Sequence, residues 1–120
     1  MTKPSIYHSQ GYNCAEALIK SYNEEHNKNI PVSLGSGMGS GATVGSLCGA
    51  INAAVLVIGF LKGRHSELEA NEARAYSNKL MKIIREKYNT EMCIDLKRNK
   101  IGCDEIIDFT YEALNQLLNS

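Results

Sequence analysis

The stretch that decides the fold runs from Gly35 to Gly63 and reads GSGMGSGATVGSLCGAINAAVLVIGFLKG. A glycine-rich loop passes through Cys48 into an almost wholly apolar segment of helical length. From Asn29 to Leu61 the Cys48 thiol is the only ionisable side chain. We therefore expect this stretch to form the protein interior and the charged remainder of the chain to cover it.

The glycine spacing changes within this stretch. Glycines alternate with other residues over positions 35–41, which predicts an irregular loop with unusual backbone angles. From Gly41 to Gly49 glycine recurs at every fourth position, a spacing that would clear one face of a helix for close packing. We predict that the apolar helix begins at positions 44–46 and ends at positions 61–62, with Gly63 directly after it.

Amphipathic periodicity predicts further helices on both sides. The first covers positions 11–25, with Asn13 or Ser9 as its cap, and a short helix or extended piece follows at positions 31–34. Ser66-Glu67-Leu68-Glu69 has the composition of a capping box and predicts a long helix over positions 66–88, with Leu68 on its inner face.

The C-terminal part completes the predicted architecture. Positions 90–102 are expected to form a short helix or turn carrying Cys93 and then a basic loop, and the last helix is expected to open at Cys103. No segment alternates apolar and polar residues for long enough to predict a strand. The expected fold is therefore all-α: one domain over positions 1–120, built as a bundle of four to five helices around a buried apolar central helix.

Composition narrows the range of functions. The chain has 120 residues, and its thirteen Lys and Arg balance thirteen Asp and Glu, so we expect no nucleic acid or anionic membrane as partner. The apolar run at positions 50–61 is too short to span a bilayer, which takes about 20 residues. The N-terminal MTKPSIYHSQ lacks the apolar core of a signal peptide. These features predict a cytoplasmic protein whose thiols are kept reduced.

The four cysteines are the strongest functional candidates. They contain no CxxC pair, which argues against a zinc ribbon or a thioredoxin-like site. On the predicted elements Cys14, Cys48 and Cys103 each lie in the first turn of a helix, where the helix dipole favours a thiolate and lowers its pKa. Cys93 lies in a segment of unassigned structure. The alternative is that all four are small apolar residues of the core.

Other candidate residues carry weaker signals. The loop glycines Gly37, Gly39 and Gly41 could cradle an anion or a cluster with their amides, although the segment lacks a phosphate-binding motif. Met38 is expected to pack rather than to bind a ligand. The histidines are expected to be solvated surface residues; they are His8, His26 and His65.

The cysteine-bearing segments resemble a family named for its cysteine pattern, the C-GCAxxG-C-C family of redox-active proteins. Positions 12–17, YNCAEA, are similar to its N-terminal cysteine motif, and positions 35–39 are similar to its glycine-rich stretch. Positions 48–53, CGAINA, are similar to its central CGAxxG motif, with Ala53 in place of the last glycine. Cys93 and Cys103 stand where the last two family cysteines are expected.

The resemblance implies that the four cysteines act together in a bacterial redox or metal-linked context. Two thiols could cycle through a disulfide, with Cys48 as the sheltered one and Cys14 or Cys103 as the accessible one. Alternatively, Cys14, Cys48, Cys93 and Cys103 could ligate an iron–sulfur cluster or zinc. The redox partner is not identified by either reading.

A non-catalytic function is the competing hypothesis. In it the cysteines fill the core, and the small residues Gly41, Gly45 and Gly49 form a packing surface for another helix or for a homodimer. This hypothesis predicts that replacing all four cysteines by serine or alanine leaves function intact apart from a modest loss of stability. Mutually remote cysteine positions in the folded protein would favour it most.

Overall fold

The computed structural model of the protein describes residues 3–119, and these residues contain six α-helices and no β-strand. The predicted all-α class is therefore confirmed. The helices are α1 (Pro4–Ser9), α2 (Cys14–His26), α3 (Gly49–Lys62), α4 (Glu72–Tyr88), α5 (Cys93–Arg98) and α6 (Cys103–Leu118). A single 3₁₀ turn, Val32–Gly35, fulfils the prediction of a short helix after α2.

Helix α2 begins where the sequence places its cap. The Asn13 side chain accepts a hydrogen bond from the Glu16 amide at 2.8 Å, and the Glu16 carboxylate accepts one from the Asn13 amide at 2.9 Å. The side-chain amide nitrogen of Asn13, Nδ2, also donates hydrogen bonds to the carbonyls of Gly35 and Ser36. Asn13 therefore both starts α2 and fastens the glycine-rich loop to it.

We expect the Asn13→Ala variant to lose about 1 to 2 kcal/mol of unfolding free energy, because it removes a helix cap and the loop contacts together. Chemical denaturation of the purified variant measures this loss. Asn71→Ala is the matched control, since Asn71 precedes α4 without a capping hydrogen bond from its side chain. Equal losses in the two variants would contradict the role given to Asn13.

Helix α3 begins later than predicted. It starts at Gly49 rather than at positions 44–46, because residues 41–45 form a tight turn closed by a 2.8 Å hydrogen bond from the Ser46 amide to the Gly41 carbonyl. Ser40, Gly41, Ala42 and Thr43 all have positive φ angles. Gly41 and Gly45 therefore precede the helix, and the predicted glycine face from Gly41 to Gly49 is wrong.

The apolar segment is mostly buried. Helix α3 packs against α2, α4 and α6, and its end at Lys62 agrees with the prediction. Its non-glycine residues that are buried are Ala50, Ile51, Ala53, Ala54, Val57 and Ile58. Burial of apolar surface, at roughly 25 cal/mol per Å², makes this segment a main source of stability.

Helix α4 also begins later than predicted, at Glu72 instead of Ser66. The side-chain bonds differ from those of a capping box, since Ser66 Oγ accepts from the Leu68 amide and Glu69 Oε1 accepts from the His65 amide. They close only a local turn, because Leu68 is 89 % exposed and has no apolar surface to pack against. Leu68 is therefore not part of the inner face, which starts with the later residues of the helix.

Two short helices raise the number of helices above the predicted four to five. Pro4 opens α1, a position that suits its fixed φ angle, and α5 begins at Cys93. The last helix, α6, begins at Cys103 as predicted, with Asp104 and Glu105 in its first turn. Among the helices of residues 3–119, none is both long and apolar enough to cross a membrane.

Candidate thiol site

All four cysteines lie at the N-terminal end of a helix. Cys14, Cys93 and Cys103 are the first residues of α2, α5 and α6, and Cys48 directly precedes α3. The sequence predicted this position for three of them. Cys93 joins the set because α5, which the sequence left open between helix and turn, is a helix that starts at this cysteine.

A short antiparallel bridge aligns Cys48 with Cys93. Leu47 pairs with Met92, the Cys48 amide donates to the Glu91 carbonyl at 3.0 Å, and the Cys93 amide donates to the Ser46 carbonyl at 2.7 Å. Side chains on alternate positions of such a bridge point to the same side. The bridge therefore presents Cys48 and Cys93 on one side of the paired backbone.

The four thiols line a single cavity of about 120 Å³. Helices α2, α3, α5 and α6 each contribute a cysteine at their N-terminal ends, and α1 contributes His8. The other lining residues are Asn13, Gly39, Ser40, Gly49, Leu96, Lys97, Ile101 and Ile106. The fold thus brings together cysteines that lie up to 89 positions apart in the chain, from Cys14 to Cys103.

The cysteines differ in their access to solvent. Cys103 is exposed, Cys14 is half-buried, and Cys48 and Cys93 are buried. All four are free thiols. A reagent that arrives from solvent therefore meets Cys103 first and Cys14 next.

Burial outweighs the helix ends in setting the thiol chemistry of two cysteines. Burial raises the pKa of Cys48 from the ordinary value of 9.0 to about 11, although the amides of Ile51 and Ala50 favour its thiolate. Burial, followed by repulsion from Cys103, also raises the pKa of Cys14. The predicted lowering of the pKa at these two helix N-termini is therefore wrong, because desolvation disfavours the charged form more than the amides stabilise it.

Cys14 interacts electrostatically with other thiols of the cavity. Among the cysteines, Cys103 acts most strongly on Cys14, and Cys14 acts most strongly on Cys48. Cys14 Sγ also lies 2.5 Å from the position that a Cβ on Gly49 would occupy, at the first turn of α3. Cys14 therefore interacts with both the exposed Cys103 and the buried Cys48.

We expect the stability of the protein to fall as the pH rises from about 9 to about 11, in part through Cys48. Its pKa is raised on folding, so the unfolded chain releases the proton first, and the stabilisation present below pH 9 is lost above it. The rise of the Cys48 pKa from 9.0 to about 11 corresponds to about 2 to 3 kcal/mol of unfolding free energy.

Chemical denaturation at about pH 8 and about pH 10.5 tests this, with Cys48→Ala as the comparison. The variant loses packing at both pH values but should show a shallower fall in stability between them. Burial also raises the pKa values of Tyr88 and Tyr111. Tyr111 contributes equally to both proteins, and Tyr88 changes only slightly, because Cys48 is the smallest of the causes that raise its pKa. An equal fall in the two proteins would contradict the role of Cys48.

The three loop glycines that were candidates for cofactor binding differ in their surroundings. Gly39 lines the cavity beside Asn13, whereas no atom lies within 4 Å of a Cβ placed on Gly37. Gly41 has φ +63°, and a Cβ there would lie 2.5 Å from the Ser46 amide nitrogen and 2.7 Å from Cys93 Cβ. Gly41 is thus required for close packing, and cofactor binding by the three glycines stays a prediction. Met38 packs against the core, as expected.

His8 is the functional candidate that sequence reasoning missed. It lines the cavity, and its Nδ1 lies 3.1 Å from Asp104 Oδ1 on α6. His8 is therefore partly exposed, as expected for a surface histidine, and it also lines the cavity. Pro4 gave a signal for a helix at this point of the chain, but the pairing of α1 with α6 joins positions 96 residues apart. His26 bonds Asn115 and stacks on Tyr22.

The cysteines do not form a ready-made metal site. Across the described residues 3–119, no three His, Cys, Asp or Glu side chains stand close enough together to hold a metal ion. Zinc and iron–sulfur sites usually take four such ligands, mostly thiolates. The donor set in this arrangement therefore does not fit the predicted cluster or zinc.

An all-helical domain with four free thiols around one cavity defines a class of small cysteine proteins suited to thiol chemistry. The particular family is shown by sequence: a family profile described as "Putative redox-active protein (C_GCAxxG_C_C)" matches residues 12–117. The chain belongs to this C_GCAxxG_C_C family. Comparison of the chain with curated proteins found no match, and comparison with solved structures found none either.

Proposed function

We propose that the protein is a thiol–disulfide redox protein in which Cys103 is the entry thiol and Cys14 the resolving thiol. The observation that carries the proposal is the cavity shared by four cysteines whose exposure decreases from Cys103 to Cys48. Helix α3, packed by α2, α4 and α6, serves as the central helix that holds the site in place.

The reaction is a two-step exchange with a disulfide of a redox partner. The Cys103 thiolate attacks one sulfur of the partner disulfide, forms a mixed disulfide and releases the other partner sulfur as a thiolate that takes up a proton. Cys14, as a thiolate, then attacks Cys103 Sγ and releases the second partner thiolate. The partner gains two electrons and two protons, and the protein is left with a Cys14–Cys103 disulfide. In reverse, the same steps oxidise a partner dithiol.

The exposure and mutual influence of the thiols favour this order. An attacking thiol must reach a sulfur on another molecule, which Cys103 can do at the exposed start of α6. A resolving thiol must be sheltered yet close to the entry thiol, and Cys14 is half-buried and interacts most strongly with Cys103. Cys48 and Cys93 lie deeper, and their redox role stays a prediction.

The other two hypotheses have less support. Remote cysteine positions would have favoured an interaction module with core cysteines, whereas the four cysteines line one cavity. Its dimerisation face also required Gly41 and Gly45 to lie on the helix that they precede. A homodimer, cytoplasmic location and bound zinc or iron–sulfur cluster remain predictions without a specific observation in their favour.

Equilibration of the full-length protein with glutathione redox buffers tests the proposal. We expect mass spectrometry after thiol trapping to find a Cys14–Cys103 disulfide, formed in a single two-electron transition. The Cys14→Ser variant should instead accumulate glutathione on Cys103. The Cys103→Ser variant should react with oxidised glutathione at least tenfold more slowly, because Cys14 is less accessible.

Cys93→Ser is the control, since a buried thiol outside the proposed pair should leave the Cys14–Cys103 disulfide in place. If no Cys14–Cys103 disulfide forms at any buffer composition, the proposed function is wrong. Metal analysis of protein purified without oxygen provides the check on the alternative. If the protein contains stoichiometric iron or zinc, and loses it only when cysteines are replaced, metal ligation would be favoured over thiol–disulfide exchange.

A further inference from the structure

A histidine that lines the thiol cavity contacts the carboxylate that follows the exposed cysteine in the chain. His8 Nδ1 lies 3.1 Å from Asp104 Oδ1, and Asp104 follows Cys103 directly in the first turn of α6. His8 and Cys103 both line the thiol cavity. A hydrogen bond at Nδ1 to a carboxylate fixes the imidazole orientation and leaves Nε2 as the nitrogen that can accept a proton.

The surroundings of His8 contain few other charged groups that could take over this task. The titratable side chains lining the cavity with it are Cys14, Cys48, Cys93, Cys103 and Lys97. Lys97 is exposed and cationic, and so it cannot accept a thiol proton at neutral pH. Asp104 already engages the imidazole, which leaves His8 as the proton acceptor available at this cavity.

We propose that His8, oriented by Asp104, accepts the thiol proton of Cys103 and so maintains the reactive thiolate of the entry cysteine. This inference rests on the proposed function for its biological meaning, but its chemistry can be measured without any redox partner. His8 acts on the reacting thiol, and Asp104 is a positioning residue that acts through His8.

The proton balance in exchange is simple. His8 takes the Cys103 proton before attack and becomes an imidazolium paired with the thiolate. After the attack on a partner disulfide, the imidazolium gives that proton to the departing partner thiolate and becomes neutral again. The pairing is the one that activates nucleophilic cysteines in general: a thiol, a base and a third group that orients the base.

A purely structural explanation would treat the His8–Asp104 contact as a link between α1 and α6. The structure contains a second link of this kind, a 3.0 Å hydrogen bond from the Ser5 amide to Asp108 Oδ1, one turn further along α6. Asp108 does not line the thiol cavity. It therefore provides a control that alters the α1–α6 contact without touching the proposed proton acceptor.

The test is the rate of Cys103 alkylation by iodoacetamide in the reduced, full-length protein, located by peptide mass spectrometry over a range of pH. At about pH 6 we expect His8→Asn to lower the rate about tenfold, because the thiolate loses its imidazolium partner. Above about pH 9.5 the two rates should converge, since the thiol then ionises without help. Asp104→Asn should give an intermediate loss with the same pH dependence.

Asp108→Ala, which removes the acceptor of the Ser5 amide, should alkylate like the unmodified protein at every pH. A loss in His8→Asn that is the same at all pH values, or no loss at all, would overturn the inference. Thermal denaturation and circular dichroism show whether each variant is folded. As a second readout, the ultraviolet absorbance of the thiolate should shift to higher pH in His8→Asn and be absent in Cys103→Ser.

The outcome is separable from that of the proposed function. If Cys14 and Cys103 form a disulfide but His8→Asn has an unaltered pH profile, the redox function stands and the role of His8 is wrong. If the profile changes but no disulfide forms, Cys103 is an activated thiol of a protein with some other reaction.

Discussion

We expect Gly41→Ala to destabilise the protein by about 3 to 5 kcal/mol, from backbone strain and overpacking together. Gly41 has φ +63°, a left-handed conformation that costs a residue with a side chain about 1 to 2 kcal/mol. The new Cβ would also lie 2.5 Å from both the Ser46 nitrogen and oxygen. Those contacts are with backbone, which cannot rotate away, so the turn between the loop and α3 must open.

Chemical denaturation followed by circular dichroism measures this effect, and Gly37→Ala is the matched control. Gly37 lies four residues earlier in the same loop, its φ is not positive, and a Cβ there would meet no atom within 4 Å. We expect the control to change stability by less than about 0.5 kcal/mol. Similar losses in both variants would show that the Gly41 turn is not the constraint inferred from the structure.

The Gly41 variant should also disturb the thiol site. Its Cβ would lie 2.7 Å from Cys93 Cβ, so the start of α5 has to move with the turn. In the folded fraction of Gly41→Ala, we therefore expect Cys93 to become accessible to a thiol reagent that does not label it in the unmodified protein. Labelling of Cys93 in mild denaturant, located by mass spectrometry, measures this change.

The second large effect is expected for Gly49→Ala, which removes the space that Cys14 uses. A Cβ on Gly49 would lie 2.5 Å from Cys14 Sγ and 2.8 Å from the Met38 carbonyl oxygen. The thiol can rotate away but the carbonyl cannot, so we expect a loss of about 2 to 4 kcal/mol and a displaced Cys14. Because Cys14 is the proposed resolving thiol, the variant should also form the Cys14–Cys103 disulfide at least tenfold more slowly.

Gly59→Ala is the control, since it lies in the same helix with no atom within 4 Å of a new Cβ. Alanine favours a helix over glycine by about 1 kcal/mol, so this variant should be slightly stabilised and should exchange disulfides normally. Denaturation and stopped-flow oxidation of both variants give the two readouts. A Gly49→Ala protein that is as stable and as reactive as Gly59→Ala would contradict the proposed packing of Cys14 on α3.

A comparison of the Gly41→Ala and Gly49→Ala variants distinguishes a loss of stability from a loss of thiol reactivity. Gly41 supports the turn on the Cys93 side of the cavity, and Gly49 supports the Cys14 side. If only Cys14 and Cys103 take part in disulfide exchange, Gly49→Ala should slow this exchange much more than Gly41→Ala does. Both rates are compared per folded molecule. The ratio of the two rates therefore tests the choice of Cys14 over the inner cysteines.

Much of the fold could be predicted from the sequence because its determinants are local or periodic. The cap at Asn13, the end of α3 at Lys62 and the start of α6 at Cys103 each follow from neighbouring residues. The starts of α3 and α4 did not, for two physical reasons. Positive φ angles from Ser40 to Thr43 depend on what the backbone packs against, and the side-chain hydrogen bonds of Ser66 and Glu69 close only a local turn.

The candidate site also has features that the sequence predicts and features that only the tertiary structure decides. The sequence by itself determined which cysteines are the candidates for the chemistry, because thiols at helix starts are visible in the order of residue types and in the family pattern. The tertiary structure decided which thiol faces solvent, which pKa values burial raises, and that His8 stands at the cavity with Cys103. The solvation of a thiol and the transfer of its proton depend on neighbours that are close in space but far apart in the chain. The local sequence pattern at Gly35–Gly63 therefore cannot predict these properties.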